Sequence, residues 1–274
     1  MEQITTGVFH SHVPGRTLPP YQATECYWIG SRDEVILVDT GDGGELAQKT
    51  LWNDWEALGR PRVLAVFATH GHPDHTGTGP WAQQTWGCPI YLPPDDLVTQ
   101  SRWGSLSLWQ PAPSGEPLTV GGVRIEMLPM PGHTPGQWNF WLPESRGLLA
   151  GDNVLGNTTV VVTPPDGNLR DYLTTLRRMI ALNPAWIGPG HGDLVTRPAE
   201  YLQRYLDHRL ERAEEIIALL RQRPMTLREL AERVYRDRLA PDRLYMGEWM
   251  ILGHLDDLIA QGTVGLDEDR YRII

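Results

Sequence analysis

The chain has 274 residues, 41% hydrophobic and 21% charged, an ordinary globular composition that can bury one large core or two unequal ones. A formal net charge of −10 disfavours passive capture of a polyanion, and the two cysteines, Cys26 and Cys88, are too few for a disulfide framework and not in metal-ligand spacing. No apolar run is long enough to cross a bilayer, and residues 1–6 lack the basic and apolar regions of an export signal, so the expectation is a cytoplasmic protein with no membrane partner.

Residues 4–12 predict an opening strand, and 15–22, among Pro14, Pro19 and Pro20, a loop. Residues 24–30 and 34–39 read as a hairpin turned by Gly30-Ser31-Arg32-Asp33, with Asp39 at the end of its second strand. Residues 44–59 have helical spacing, with Leu46, Leu51, Trp55 and Leu58 on one side and Gly59-Arg60-Pro61 as the stop. The apolar run Val63-Leu64-Ala65-Val66-Phe67 then predicts a buried strand.

That strand breaks into Ala68-Thr69-His70-Gly71-His72-Pro73-Asp74-His75-Thr76-Gly77, where Gly and Pro prevent any regular continuation. Three imidazoles and a carboxylate in six positions at a strand's end suit a Zn or Fe site. Further donors stand one by one in Gly/Pro-rich turns behind apolar runs: His133 in Pro131-Gly132-His133-Thr134-Pro135-Gly136, Asp152 after Leu149-Ala150-Gly151, and His191 in Gly188-Pro189-Gly190-His191-Gly192-Asp193. Successive strand-end loops thus point ligands the same way.

Between these turns, residues 79–86 predict a helix and 88–92 a short strand. Residues 93–117 show no sustained period and carry Trp103 and Trp109. Two readings stand: a lid offering a Trp face to an apolar or aromatic substrate, or a loop whose indoles plug the core edge. Residues 118–128 and 138–150 read as hairpins delivering His133 and Asp152, residues 169–182 as an amphipathic helix, and 184–187 as the strand before His191.

His70-x-His72-x-Asp74-His75, followed by His133, Asp152 and His191 in that order, resembles the metallo-β-lactamase superfamily motif, over roughly the first two-thirds of the chain. The resemblance implies an α+β fold, an αβ/βα sandwich of two sheets with helices outside. It implies His70, His72 and His133 on one metal, Asp74, His75 and His191 on a second, Asp152 bridging, and Asp39 supporting the metal loop from behind. Two Zn ions are expected, with Fe or Mn tolerated by the same donors. A hydroxide between the metals would then attack a carbonyl or phosphoryl group, with Asp74 taking its proton.

After His191 the texture changes. Residues 198–222 predict one long amphipathic helix closed by Pro224, then a shorter helix with Thr226 as N-cap, a helix over 241–261, and a small wing around Gly265. The expected division is 1–197 as catalytic domain, 198–223 as linking helix and 224–274 as a winged-helix-like domain. This order, with Gly156-Asn157-Thr158-Thr159-Val160 and Asp171-Tyr172-Leu173, is similar to the β-lactamase-like protein 2 family, which includes an endoribonuclease.

The helix over 241–261 holds Asp242, Glu248, Asp256 and Asp257 against Arg243, so the tail is expected to serve packing or homodimerisation and not duplex DNA. Arg102 and Arg170 remain as contacts for a small molecule or a short RNA, since the adjacent Arg177 and Arg178 diverge by about 100° around a helix. The expected reaction is dinuclear metal hydrolysis, of single-stranded RNA by the whole-chain resemblance, or of an ester or thioester in the manner of glyoxalase II. A mononuclear iron persulfide dioxygenase is the alternative from another class, because that activity shares the motif. Leu155 stands where lactonases of the fold carry Tyr, which disfavours that activity.

Overall fold

The computed structural model describes residues 1–99, 106–113 and 116–274. By packing, the chain forms two units: Met1–Met130 with Thr134–Thr158 and Asn183–Pro198, and Pro131–His133 with Thr159–Leu182 and Ala199–Ile274. The first ends one residue beyond the expected boundary at 197, while the helix over 169–182 groups with the C-terminal residues.

The first unit contains two sheets. One runs β1 (Glu2–Thr5), β2 (Val8–Pro14), β3 (Ala23–Gly30), β4 (Glu34–Val38), β5 (Arg62–Phe67), β6 (Ile90–Leu92) and β7 (Gln110–Pro111), in that spatial order. Its first four strands are antiparallel and the remaining pairings parallel. The parallel connections carry helices, as such crossovers require: α1 (Glu45–Ala57), α2 (Pro73–Thr76), α3 (Gly79–Trp86) and α4 (Pro94–Thr99). The other sheet is β8 (Leu118–Val120), β9 (Val123–Pro129), β10 (Trp138–Leu142), β11 (Gly147–Gly151) and β12 (Trp186–Pro189), with β11 and β12 parallel.

The first sheet's period-two alternation decides what each face buries. Trp28, Leu37 and Val66 pack against Ala47 and Leu51 of α1 and Ala82 of α3. Tyr27, Ile29, Ile36, Val38 and Phe67 face the other way and share a core with Ile125, Phe140 and Leu149 of the second sheet. With both faces covered, β3 is buried along its whole length. This is the expected sandwich: two sheets face to face, helices outside the first.

Two local expectations are corrected, and one of two open readings is chosen. The opening strand is two strands, because Gly7 at φ 72° turns the chain between β1 and β2. The segment from residue 93 is not featureless, since Pro94-Asp95-Asp96 starts α4 and Gln110–Pro111 joins the sheet. Within it, Trp109 is buried in the core, so tightly against Gly79 that a Cβ there would lie 2.2 Å from the indole; this is the plug reading, not the lid. Trp103 and Arg102 lie outside the described residues.

The second unit comprises α5 (Leu169–Leu182), α6 (Pro198–Leu220), β13 (Met225–Thr226), α7 (Leu227–Tyr235), α8 (Leu244–Ala260), β14 (Val264–Asp267) and β15 (Arg270–Ile273). Thr226 caps α7 reciprocally with Glu229, as its position predicts. Ile216, Leu220, Leu230, Ile251, Leu255, Val264 and Tyr271 form the core. The terminal hairpin turns at Glu268 (φ 54°), not at Gly265, which pairs with Arg272 inside β14. The two-residue turn Glu268-Asp269 needs positive φ, which matches strand twist. No helix of the described residues is long and apolar enough to cross a membrane.

Candidate metal centre

Six of the seven donors stand where strands of the first unit end, and His133 belongs to the second unit. Beyond β4, Asp39 adopts φ 62°, uncommon for a residue with a side chain, and this conformation turns its carboxylate toward the loop after β5. Its Oδ1 accepts from the Thr69 backbone N–H at 2.7 Å and its Oδ2 meets His75 Nδ1 at 2.9 Å. One carboxylate therefore fixes both ends of the histidine loop. Pro73 then opens α2, which starts directly after His72 and puts Asp74 and His75 in its single turn.

Inside the first unit the functional atoms are close. His70 Nε2 lies 3.0 Å from His72 Nδ1. His75 Nε2 lies 3.3 Å from both Asp152 Oδ1 and His191 Nε2. His191 Nε2 in turn lies 3.3 Å from Asp74 Oδ2 and 3.5 Å from Asp152 Oδ1. Within the first unit two groups of three residues have ligand atoms within 4.8 Å of one another: His70, His75 and Asp152; Asp74, His75 and His191.

The outer nitrogens test whether this set suits a metal. His191 Nδ1 donates to the Ala23 carbonyl at 2.7 Å, and His133 Nδ1 to the Val161 carbonyl at 3.1 Å. A carbonyl only accepts, so the Nδ1 of each ring carries its proton and the neutral ring offers Nε2 as a lone pair. His75 is oriented the same way by Asp39, and His70 Nδ1 meets Thr69 Oγ1 at 3.0 Å. Rings anchored on one nitrogen and converging on the other are what a metal site with histidine ligands requires. The donors fit a pair of divalent cations with N/O preference.

Without a cation the cluster is a network of opposite charges. Burial pushes Asp74 upward most, but the His191 hydrogen bond and the His75 charge outweigh it and hold the carboxyl at about 2. For His191, burial acts downward, yet Asp152 and Asp74 raise it to about 10. Asp152 is likewise held low by His191 and His75 against its burial.

Two glycines are required by this geometry. A Cβ on Gly190 would lie 2.1 Å from Asp152 Oδ1, so only glycine can precede His191 in this approach. Gly151, at φ 48°, delivers Asp152, and its Cβ would fall 2.5 Å from Gln137 Nε2 and 2.6 Å from Thr69 Oγ1.

One supporting residue escaped sequence reasoning. Asp96, fully buried, accepts from Gly71 N at 2.8 Å, Thr134 Oγ1 at 2.8 Å and Gly136 N at 2.7 Å. It ties the histidine loop to the turn that follows His133. Its only signal was a Pro-Pro-Asp-Asp helix start, which reads equally well as a solvated turn. Arg170, expected near substrate, instead places its Nε 3.3 Å from Asp257 Oδ1. Glu25 is buried with its carboxylate on His10 Nε2 at 2.6 Å and His12 Nδ1 at 2.9 Å.

Residues 21–191 match the family model described as metallo-beta-lactamase superfamily. The chain belongs to that superfamily. Proteins similar in sequence include a Beta-lactamase-like protein 2 homolog of Caenorhabditis elegans, 29% identical over 79% of this chain and 72% of the relative. They also include an Atrochrysone carboxyl ACP thioesterase of Aspergillus chevalieri, 29% identical over 73% of this chain and 61% of the relative. A solved metallo-beta-lactamase family protein from Thermus thermophilus superposes with TM-score 0.81 at 25% identity, covering 99% of this chain and 100% of that one. A protein solved in a di-iron-bound form matches with TM-score 0.53 at 25% identity, over 68% of this chain and 96% of that one. As a superfamily member with this donor set, the protein is a metal-dependent hydrolase.

Proposed function

We propose that this metallo-β-lactamase superfamily hydrolase holds two zinc ions and cleaves a carboxylic thioester or ester. The observation that carries the dinuclear reading is the position of Asp152. It shares a donor group with His70 and His75, and His75 belongs also to the group with Asp74 and His191. His70, His72 and His133 would hold one ion, Asp74, His75 and His191 the other, and Asp152 both. Two such ions would supply the Lewis acidity that makes water a nucleophile near neutral pH and polarises the carbonyl under attack.

The chain's own residues orient and buffer that chemistry. Asp39, Thr69 and the Ala23 and Val161 carbonyls fix the ligand rings. Asp74 is partly exposed whereas Asp152 is buried, so Asp74 is the carboxylate placed to take a proton from water. Water adds to the acyl carbon, the C–S or C–O bond breaks, and the proton leaves with the thiol or alcohol.

A neutral or weakly charged acyl substrate is favoured over RNA by charge. The net charge is −10, and Arg170 is engaged by Asp257. The thioesterase relative supports the same direction. Cleavage of short single-stranded RNA is the second reading, favoured by similarity to the β-lactamase-like protein 2 homologue. Metal analysis alongside a hydrolysis panel of aryl thioester, lactone, bis-aryl phosphate and labelled RNA tests both. Two zinc ions and thioester turnover are expected. One iron with oxygen uptake on a persulfide would replace this reading with a dioxygenase.

A further inference from the structure

The second unit carries positive charge where a helical core ordinarily carries carbon. Positions 202, 205, 209, 212, 216 and 220 of α6 recur at three- and four-residue spacings and are all buried. Leu202, Tyr205, Ile216 and Leu220 are the expected residues. The two central positions are Arg209 and Arg212, only 2% and 6% exposed. From α8, His254 is 1% exposed.

Both guanidinium groups are held in place. Arg209 lies over the Tyr172 ring, 5.5 Å from its centre, and donates through Nη2 to the Val160 carbonyl. Arg212 lies 5.0 Å from the centre of the Tyr235 ring and donates through Nη1 to Glu215. Counter-charge is scarce. Glu215 is shared with Arg238 at 3.4 Å, and Asp257 is occupied by Arg170 and Gln261. Among the described residues no carboxylate pairs with Arg209.

Donors remain over. Nε of Arg209, Nε of Arg212, Nδ1 of His208 and both ring nitrogens of His254 are buried without a hydrogen-bond partner among the described residues. Burial, then Arg209 and Arg212, push His254 well below its ordinary value, and the same causes with Arg238 lower His208 to about 4. Both imidazoles are therefore neutral near pH 7, and each has one N–H to donate. Buried cations and donors left unmatched are costly, so proteins neutralise them with an ion or avoid them.

The geometry points to an internal anion site formed by Arg209, Arg212 and His254, taking a small divalent oxyanion of the phosphate class. The planar forks of arginine match a tetrahedral oxyanion, and two permanent charges, of which only Arg212 meets a carboxylate and that one shared with Arg238, match a dianion better than chloride. The site stands one peptide from the metal centre's support. Val160 accepts from Arg209, and Val161 holds His133.

Thermal unfolding of the full-length protein, with sodium phosphate replacing chloride at constant ionic strength, tests the proposal. A saturable rise in Tm is expected for the wild type and for Asp152→Ala, and none for Arg209→Met or Arg212→Met. The double variant should be at least as stable as wild type without phosphate, because methionine replaces an unmatched buried charge. Equilibrium dialysis with radiolabelled phosphate needs no core variant and should find about one bound ion per Asp152→Ala chain. An equal response to a phosphate monoester would identify the phosphate group of a larger ligand as the occupant, and a response to inorganic phosphate alone a closed site. No shift and no bound phosphate in the wild type would overturn the proposal. A shift that survives both arginine substitutions, or that disappears in Asp152→Ala, would assign phosphate to another site and also overturn it.

Discussion

Asp39 Oδ2 lies 2.9 Å from His75 Nδ1, with both side chains essentially inaccessible to water. The carboxylate thus sets the direction of a ring whose other nitrogen lies 3.3 Å from Asp152 and from His191. Removing such an outer partner typically costs about 10–100-fold in metal affinity. Asp39→Ala is expected to lose metal to a chelator at correspondingly lower concentration. Asp39→Asn, which tolerates the positive φ and keeps an acceptor, should lose less. Equal chelator resistance in Asp39→Ala and wild type would remove the carboxylate from the site's support.

Gly190→Ala tests the approach of the last histidine loop. The added methyl would displace the Asp152 carboxylate, the far end of a side chain, more readily than it would displace backbone. The expected product is a folded protein with reduced metal content and little turnover. Metal analysis and circular dichroism on the same sample check this; a full metal complement would show that Asp152 is not needed there.

Asp96 holds three donors in a fully buried position. Replacing it with alanine leaves two backbone N–H groups and a hydroxyl without their acceptor, at roughly 1–3 kcal/mol for each unsatisfied group. Asp96→Ala should therefore unfold several degrees earlier. The metal should be lost at or before that transition, because Gly71 lies between His70 and His72. A melting temperature equal to wild type would contradict the buried network.

Arg170→Ala separates a structural from a substrate role. The pair with Asp257 is partly exposed, and such pairs contribute about 0–1 kcal/mol. Stability should change by no more than that, and hydrolysis should stay within about twofold of wild type. A large rise in KM with unchanged melting would return Arg170 to the substrate.

His208 gives the second unit a pH dependence of definite sign. Its folded value is lowered to about 4, by burial first and then by Arg209, Arg212 and Arg238. Between about pH 4 and 6.5 the unfolded chain binds a proton that the folded chain does not. Stability from this group is thus complete above pH 6.5 and is lost as the pH falls through that window. His208→Gln, in phosphate-free buffer, should show a flatter denaturation profile there than wild type. An unchanged slope would assign the acid sensitivity to other groups.

The donor set was legible in the sequence because chemistry and spacing coincide in it. Strand, break, then His70, His72, Asp74 and His75 can serve little but a metal, and His133, Asp152 and His191 recur in like turns. The two-sheet layering followed from the motif resemblance, and the buried strand before the histidine loop from the continuous apolar run Val63-Leu64-Ala65-Val66-Phe67. Asp96, the core position of Trp109 and the engagement of Arg170 by Asp257 were not. Each depends on a partner far along the chain: Gly71 and Thr134 for the first, Gly79 for the second, a residue on α8 for the third. The buried arginines of α6 show the same divide. Local spacing puts positions 209 and 212 on the inward face, but only tertiary packing removes their water, leaves the Nε of each without a partner and leaves Arg209 without a carboxylate among the described residues.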